Sequence, residues 1–357
     1  MPLCSEILAR SSVKTCIVFV EENLSQPWNI DLKNNPDIKV LTGSQGVKLK
    51  DLLTVITRND IELAHFAGWS HPLIFAAWLF CWIRGIPFTV ESDTPFRTEV
   101  PGWNAFAKRL LYPILFRLPS MFMPGGSRQA AYFRNYGVTD DKIRIAQMTV
   151  DVVAIMTYRQ GINDERRHLI RQEFGLLPGA VVFLYVGRLI THKGIRILLE
   201  AFEILQSCAV TKCALVMVGD GELIDDVKAL MSHIPSLFVT GRLEGTALLD
   251  AYAAADVFVL PSYWEPWGLV LNEAMASGLP VIVTDAVGSS DDLVEKGENG
   301  LIVPVGQSEA LADAMYYLVQ NNNARKNMGS ASIKKIMPWT LANEADLMVK
   351  YWHEVMQ

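Results

Sequence analysis

Cysteine is scarce in this chain: five in 357 residues, Cys4, Cys16, Cys81, Cys208 and Cys213, with no pair spaced Cys-x-x-Cys. An odd, scattered set supports neither a disulfide framework nor a zinc knuckle, and it fits a reducing compartment. Long apolar runs are missing as well. The longest, residues 73–83, is about half of the roughly 20 residues that a bilayer-spanning helix needs. The opening MPLCSEILARSSVK lacks the basic region, apolar stretch and small-residue cleavage site of a secretory signal, so a cytoplasmic chain is expected. No low-complexity tract and no repeat at a period of roughly 20 to 50 residues is found, which excludes solenoids and collagen-like chains. No Asp-x-Asp pair is there to hold a metal, and no complete G-x-G-x-x-G marks a dinucleotide site.

What remains is a globular composition, half apolar and a fifth charged. At roughly 150 residues per domain the length predicts about two domains with ample core. The formal charge of −6 is uneven: residues 1–155 carry 16 basic and 14 acidic side chains, the remainder 16 and 24. An acidic chain without a nucleic-acid motif is not expected to bind nucleic acid. The basic excess is local. Arg97, Lys108, Arg109, Arg117, Arg128 and Arg134 face a single acid, Glu99, and alternate with Trp103, Phe106, Leu110, Leu111 and Ile114. Residues 97–134 therefore suit an amphipathic helix at the inner face of an anionic membrane. An ordinary surface helix kinked at Pro113, with one face buried, explains the same pattern.

The second half alternates short apolar runs with helical patterns, as a doubly wound parallel sheet requires. Strands are expected at 181–186, 214–218, 237–239, 257–260, 281–283 and 301–303. Between the first two, Leu198, Leu199, Phe202 and Leu205 recur at helical steps. The first half holds strand-like runs at 15–20, 61–66 and 88–90 and a helical run at 73–83, a second α/β unit. A charge-rich stretch, residues 159–172, separates the two patterns. It predicts domains at 1–158 and 159–338, with a terminal helix at 339–357 returning to the first.

Three stretches of the second half carry candidate chemistry. In VGRLITHKG, Arg188 and Lys193 follow a strand, where open α/β sheets bind ligands. A diphosphate would satisfy both; so would water, if they are solvated loop cations. In PSYWEPWGLVLNEAMASG, Glu265 lies in a loop, Gly268 marks a turn, and a helix carrying Glu273 begins. Its free N–H groups make an anion site. Eight helical residues rise about 12 Å, too far for the roughly 5 Å carboxylate pair of a retaining glycosidase. The two acids suit separated parts of one elongated ligand, or are a solvated loop acid and an exposed helix acid. The third stretch, VGDGE with Gly219 and Gly221, reads alone as turn chemistry.

Taken together, VGRL with its following Lys-Gly, VGDGE, EPWGLVLNEAMASGLPVIVTD and ENGLIVPVG resemble the carboxyl-terminal domain of the retaining nucleotide-sugar glycosyltransferases of family 4, over about residues 167–320. The resemblance implies the GT-B fold, two Rossmann-like doubly wound domains facing across a cleft. It implies that Arg188 and Lys193 neutralise the donor diphosphate and that Glu265 holds the donor sugar. The amides of Gly268, Leu269 and Val270 would cap the phosphates, Glu273 would accept the ribose hydroxyls, and Gly219 would border the donor. Transfer would proceed with retention, to a glycan or lipid-linked acceptor in surface polysaccharide or glycoconjugate synthesis, with no metal or other cofactor. A nucleotide-sugar epimerase on the same architecture and a weakened nucleotide-binding partner protein are the alternatives.

The amino-terminal half departs from that pattern. The family's glycine-rich loop after the first strand is replaced by Glu21, Glu22, Asn23, Leu24 and Ser25, and the family's histidine after the strand at 88–90 by Ser92. His71, Ser92 and Asp93 are the candidates for cleft residues there, although a lone histidine such as His71 is commonly a structural one. Gly125, Gly126 and Ser127 precede a helix, as an anion site or a plain helix cap.

Overall fold

A computed structural model describes residues 2–10, 17–19, 38–40, 49–58, 61–94, 103–208 and 212–357. Residues 21–25, Arg97 and Glu99 lie outside the described residues. The chain divides into two compact units, Met1–Met148 with Leu341–Gln357, and Thr149–Thr340.

The first unit opens with helix α1 (Pro2–Arg10), a parallel pair β1 (Ile17–Phe19) and β2 (Ile38–Val40), and α2 (Leu49–Arg58). A parallel sheet follows, β3 (Ala64–Ala67), β4 (Phe88–Ser92) and β5 (Met121–Pro124), with β4 in the middle. Helix α3 (Pro72–Arg84) links β3 to β4, α4 (Trp103–Leu115) links β4 to β5, and α5 (Ser127–Asn135) comes after β5. Local signals set the limits of α3. The His71 Nδ1 accepts the Leu73 N–H, Pro72 stands in the first turn, and Gly85 ends the helix at φ 69°. Its mostly apolar sequence buries Ala77, Trp78 and Cys81. They join an aromatic core in which Phe122 and Phe133 approach to 4.4 Å and Trp69 meets Phe116 edge-on at 5.3 Å.

The basic aromatic stretch is not one helix. Met121–Pro124 is a fully buried strand, so Arg128 and Arg134 belong to a separate helix from Lys108 and Arg109. A four-residue apolar run between cations has no period long enough to announce a strand.

The second unit begins with α6 (Val152–Gln160) and α7 (Asp164–Glu173). Six parallel strands follow: β6 (Val181–Val186), β7 (Cys213–Val218), β8 (Leu237–Gly241), β9 (Val257–Leu260), β10 (Val281–Thr284) and β11 (Gly300–Val303). They alternate with α8 (Ile195–Ser207), α9 (Ile224–Leu230), α10 (Gly245–Ala254), α11 (Leu269–Ala276) and α12 (Ser290–Leu293), and α13 (Ser308–Gln320) and α14 (Asn322–Ile336) come last. The strand order is β11-β10-β9-β6-β7-β8. Strands β6, β9 and β10 are buried throughout, which is why they read as continuous apolar runs rather than alternating ones.

A boundary at 158/159 would run through α6. Residues 159–172 are not a linker: Arg167 and Arg171 of α7 hold the two oxygens of Asp256 at 2.8 and 2.6 Å, and Asp256 also accepts the Val182 N–H at 2.8 Å. Two guanidiniums also take the carbonyls of Ala253, Ala254 and Ala255, satisfying the end of α10. The charge that suggested a solvated connection instead anchors α7 to the entry of β9.

Helix α15 (Leu341–Met356) belongs to the first unit. Ala345, Met348 and Trp352 pack with Ile7, Met121 and Met123. The same helix buries Glu344. Burial first, and the charge of Glu91 second, push its carboxyl up to about 9, so it is protonated at neutral pH. The folded unit therefore binds a proton that the unfolded chain, near 4.5, has released. Stability from this group is present below about pH 4.5 and is lost as pH rises towards about 9. Glu344→Gln is expected to flatten that decline. Melting temperatures of both proteins across the window check it, and parallel curves would show that Glu344 does not titrate there.

Candidate functional site

From β6 the chain moves outward through β7 to β8, and from β9 outward the other way through β10 to β11. The strand order therefore reverses between β6 and β9, which makes their carboxyl ends the switch point at which open α/β sheets bind ligands. Two of the three candidate stretches are the loops that leave these ends.

The loop after β6 places Arg188 exposed, with its carbonyl accepting the Tyr185 hydroxyl at 2.8 Å. A 3-10 turn, Thr191–Lys193, then delivers Lys193. Glu222, from the VGDGE turn, fixes that turn by accepting the Thr191 N–H at 3.2 Å and hydroxyl at 3.1 Å, and these bonds hold its carboxyl below the usual range. Gly194 has φ 73°, and a Cβ there would lie 2.0 Å from the Pro261 carbonyl oxygen. Only glycine lets the two loops approach so closely. The approach puts the Lys193 ammonium in a direct ion pair with Glu265, both largely buried.

Glu265 is 8% exposed. Its backbone is pinned by the Gly288 N–H, donating to its carbonyl at 2.9 Å. Gly268 has φ 92°, and a Cβ would sit 3.0 Å from Glu265 Cγ and 3.2 Å from Leu260 Cδ2. The acid thus lies across the start of α11. That start has no side-chain cap, so the first N–H groups of the helix and its positive end are offered outward beside the ion pair. Leu269 is exposed and Val270 half-buried. The Tyr185 phenol is pushed up by burial first and then by the charge of Glu265, with Arg188 opposing.

Glu273 is on the same helix and accepts the Tyr252 hydroxyl at 2.7 Å. Burial raises its carboxyl above the usual range, and the tyrosine's hydrogen bond counteracts this. Glu265 and Glu273 have different surroundings: one is neutralised by a lysine, the other meets a phenol. The Gly219 N–H is already donated, to the Gly241 carbonyl at 2.8 Å, so this glycine lines the loop without a free amide to offer.

A buried polar network holds the other side of α11. Asn272 accepts the Trp267 indole N–H at 3.0 Å and donates to the Thr149 hydroxyl at 3.3 Å, and that hydroxyl donates to the Trp339 carbonyl at 2.6 Å. Trp267 stacks on Trp339, and its carbonyl accepts the Ser289 hydroxyl at 2.6 Å. Tyr252, Asn272, Trp267 and Glu222 were not singled out from the sequence. Glu222 stood inside a quoted motif, but Tyr252 lies 21 residues before its partner in an apolar helix, and no local signal joins them.

The three amino-terminal candidates belong to the first unit. His71 is the cap of α3. Ser92 is buried at the end of β4 and its hydroxyl accepts the Thr94 N–H at 3.1 Å. Asp93 is exposed. Ser92 closes β4 and Asp93 follows it, while His71 comes after the neighbouring strand β3. Gly126 caps α5 without a side-chain hydrogen bond.

Known proteins resemble this chain in sequence and in fold. The profile of the family "Glycosyl transferases group 1" matches residues 166–335. A GDP-mannose-dependent alpha-mannosyltransferase of Mycobacterium tuberculosis (strain CDC 1551 / Oshkosh) is 42% identical over 296 residues, covering 79% of this chain and 70% of that protein. The chain spans under half the length of the first curated relatives it matches, 30% and 44%. Among solved structures, a glycosyltransferase from Rickettsia africae ESF-5 superposes with a TM-score of 0.78 at 16% identity, over 100% of this chain and 93% of the other. Anabaena HepE in complex with UDP superposes at 0.72 and 19% identity, over 89% and 85%. At such identities the likeness is one of fold.

Asn272→Leu is expected to leave the Trp267 indole N–H unsatisfied in the interior and to destabilise the second unit by about 1–3 kcal/mol. Urea unfolding measures it as a lower midpoint at an unchanged slope. An unmoved midpoint would mean that the network contributes nothing.

Proposed function

The chain belongs to the glycosyl transferases group 1 family, with the α/β GT-B fold, and from that premise we propose that it moves a sugar from a nucleotide diphosphate to a glycan or lipid-linked acceptor with retention and without a metal. The observation that carries this reading is the Lys193–Glu265 ion pair, set at the sheet's switch point beside the uncapped start of α11. A cation, an acid and a row of free amides meet where a diphosphate with a sugar on one side would lie.

Arg188 and Lys193 are the groups that neutralise the diphosphate and the charge that grows on it as the bond to the sugar breaks. The amides of Gly268, Leu269 and Val270 hold phosphate oxygens, Glu265 holds sugar hydroxyls, and Glu273 takes the ribose hydroxyls. In the retained transfer the acceptor oxygen attacks the face that the phosphate leaves, and the departing phosphate oxygen takes the acceptor's proton. Side-chain cations and a helix end thus supply the electrostatic stabilisation. Lys193 also neutralises Glu265 before the donor arrives and can turn to phosphate afterwards.

The domain limits of the function are set by the same reading, with the second unit holding the donor and the first serving the acceptor. Work on the cytoplasmic side of a membrane fits a lipid-linked acceptor. The base and the sugar are left to experiment, since the HepE structure holds UDP and the mycobacterial relative is named for GDP-mannose.

A thermal-shift panel of UDP, GDP, ADP and their sugars is expected to show stabilisation by one base. With the donor known, Glu265→Gln should lower kcat by about 30- to several-thousand-fold while the free nucleotide still binds. NMR of the product should show the donor's anomeric configuration kept, and chelator should leave the rate unchanged. Inversion would refute the stereochemical claim, and loss of rate in chelator the metal-free one. Conversion of the donor with no acceptor present would select an epimerase, and binding without turnover a partner protein.

A further inference from the structure

We propose that the outward face of α4 docks on an anionic phospholipid surface. This deepens the lipid-linked arm of the proposed function but is read from a different unit and different residues.

Helix α4 carries large apolar side chains on both its inner and its outer side. Tyr112 and Leu115, with Phe116 just beyond the end, pack into the aromatic core of the first unit. Trp103, Phe106, Leu110 and Ile114 recur at three- and four-residue steps along the opposite side. Trp103 is 80% and Leu110 61% exposed, and Phe106, Ile114 and the flanking Leu111 are each more than half exposed. The Trp103 and Phe106 rings lie 5.8 Å apart, so the aromatic end of the stripe is continuous. A row of large apolar side chains of this kind on a folded surface marks an interaction site.

Charge selects the partner. Residues 103–139 contain no Asp or Glu at all. Arg109 and Arg117, both exposed, accompany the stripe. Arg134 is already neutralised by Asp140 at 2.6 Å. A second copy of the chain meeting this face about a twofold axis would set arginines against arginines, and the stretch 103–139 supplies no acid to answer them. Anionic headgroups answer them directly, while the stripe enters the headgroup and acyl boundary. At 13 residues and about 1.5 Å per residue the helix is too short to span and is suited to lie flat. No helix among the described residues is long and apolar enough to cross a membrane.

The test uses the full chain without donor or acceptor. Co-sedimentation with vesicles of phosphatidylcholine and phosphatidylglycerol is expected to exceed that with phosphatidylcholine alone, and to weaken in high salt. Phe106→Ser with Leu110→Ser should reduce the partition coefficient by about tenfold or more. Both side chains are exposed, so an unchanged melting temperature is expected and serves as the folding control. Absence of binding to anionic vesicles, or equal binding by the folded variant, would overturn the proposal. So would a dimer in analytical ultracentrifugation that the same variant abolishes, which would assign the face to a second copy. Vesicle binding in a protein that no nucleotide stabilises would sink the transferase reading and leave the docking face, and the opposite pair of results would do the reverse.

Discussion

A lysine and a glutamate 72 residues apart neutralise each other at the carboxyl edge of a parallel sheet, and the candidate site is organised around that contact. It exists only because two loops from adjacent strands come within backbone contact of one another, with a glycine at 194 against the carbonyl of Pro261. Any side chain at 194 would separate the loops and with them the charges. Glu222 fixes the same turn from a third loop, so the position of the Lys193 ammonium is determined by β6, β7 and β9 together.

The pair also sets a condition on what can bind. A largely buried carboxylate that loses its lysine is left without its counter-charge, so an incoming anion that attracts Lys193 must bring hydroxyl groups for Glu265 to accept. An anion bearing a sugar meets both demands; a bare anion meets only one. Next to the pair, α11 is held on two sides. Tyr252 grips Glu273, and Asn272 ties Trp267 and Thr149. The eight-residue helix therefore presents its amides from a rigid seat, as an anion site requires.

The first unit is built on a different principle. Aromatic rings, rather than a long aliphatic sheet, fill its core, and its last helix arrives from the far end of the chain carrying a protonated glutamate. The acidic character of the whole chain conceals the fact that one long stretch of this unit has no acid. The two arginines of α7 show the opposite case, where charge that looks exposed in the sequence is consumed internally by Asp256 and by helix-end carbonyls.

Much of the second unit was legible in advance. The bounds of β6 and β9 match the apolar runs, because a strand buried on both faces writes its length directly into the sequence. The short strand β5, lost among cations, and the helices α6 and α7, read as a boundary, were not. Their identity depends on partners elsewhere in the chain. The amino acids by themselves determined the alternating parallel architecture, the turn glycines and the residue types Arg188, Lys193, Glu265 and Glu273, since period and motif are local properties. The tertiary structure decided that Lys193 faces Glu265, that Tyr252 faces Glu273, and that α4 leaves a second apolar side outward. These depend on which distant segments are brought together and which face the core leaves uncovered, and no local period carries that information.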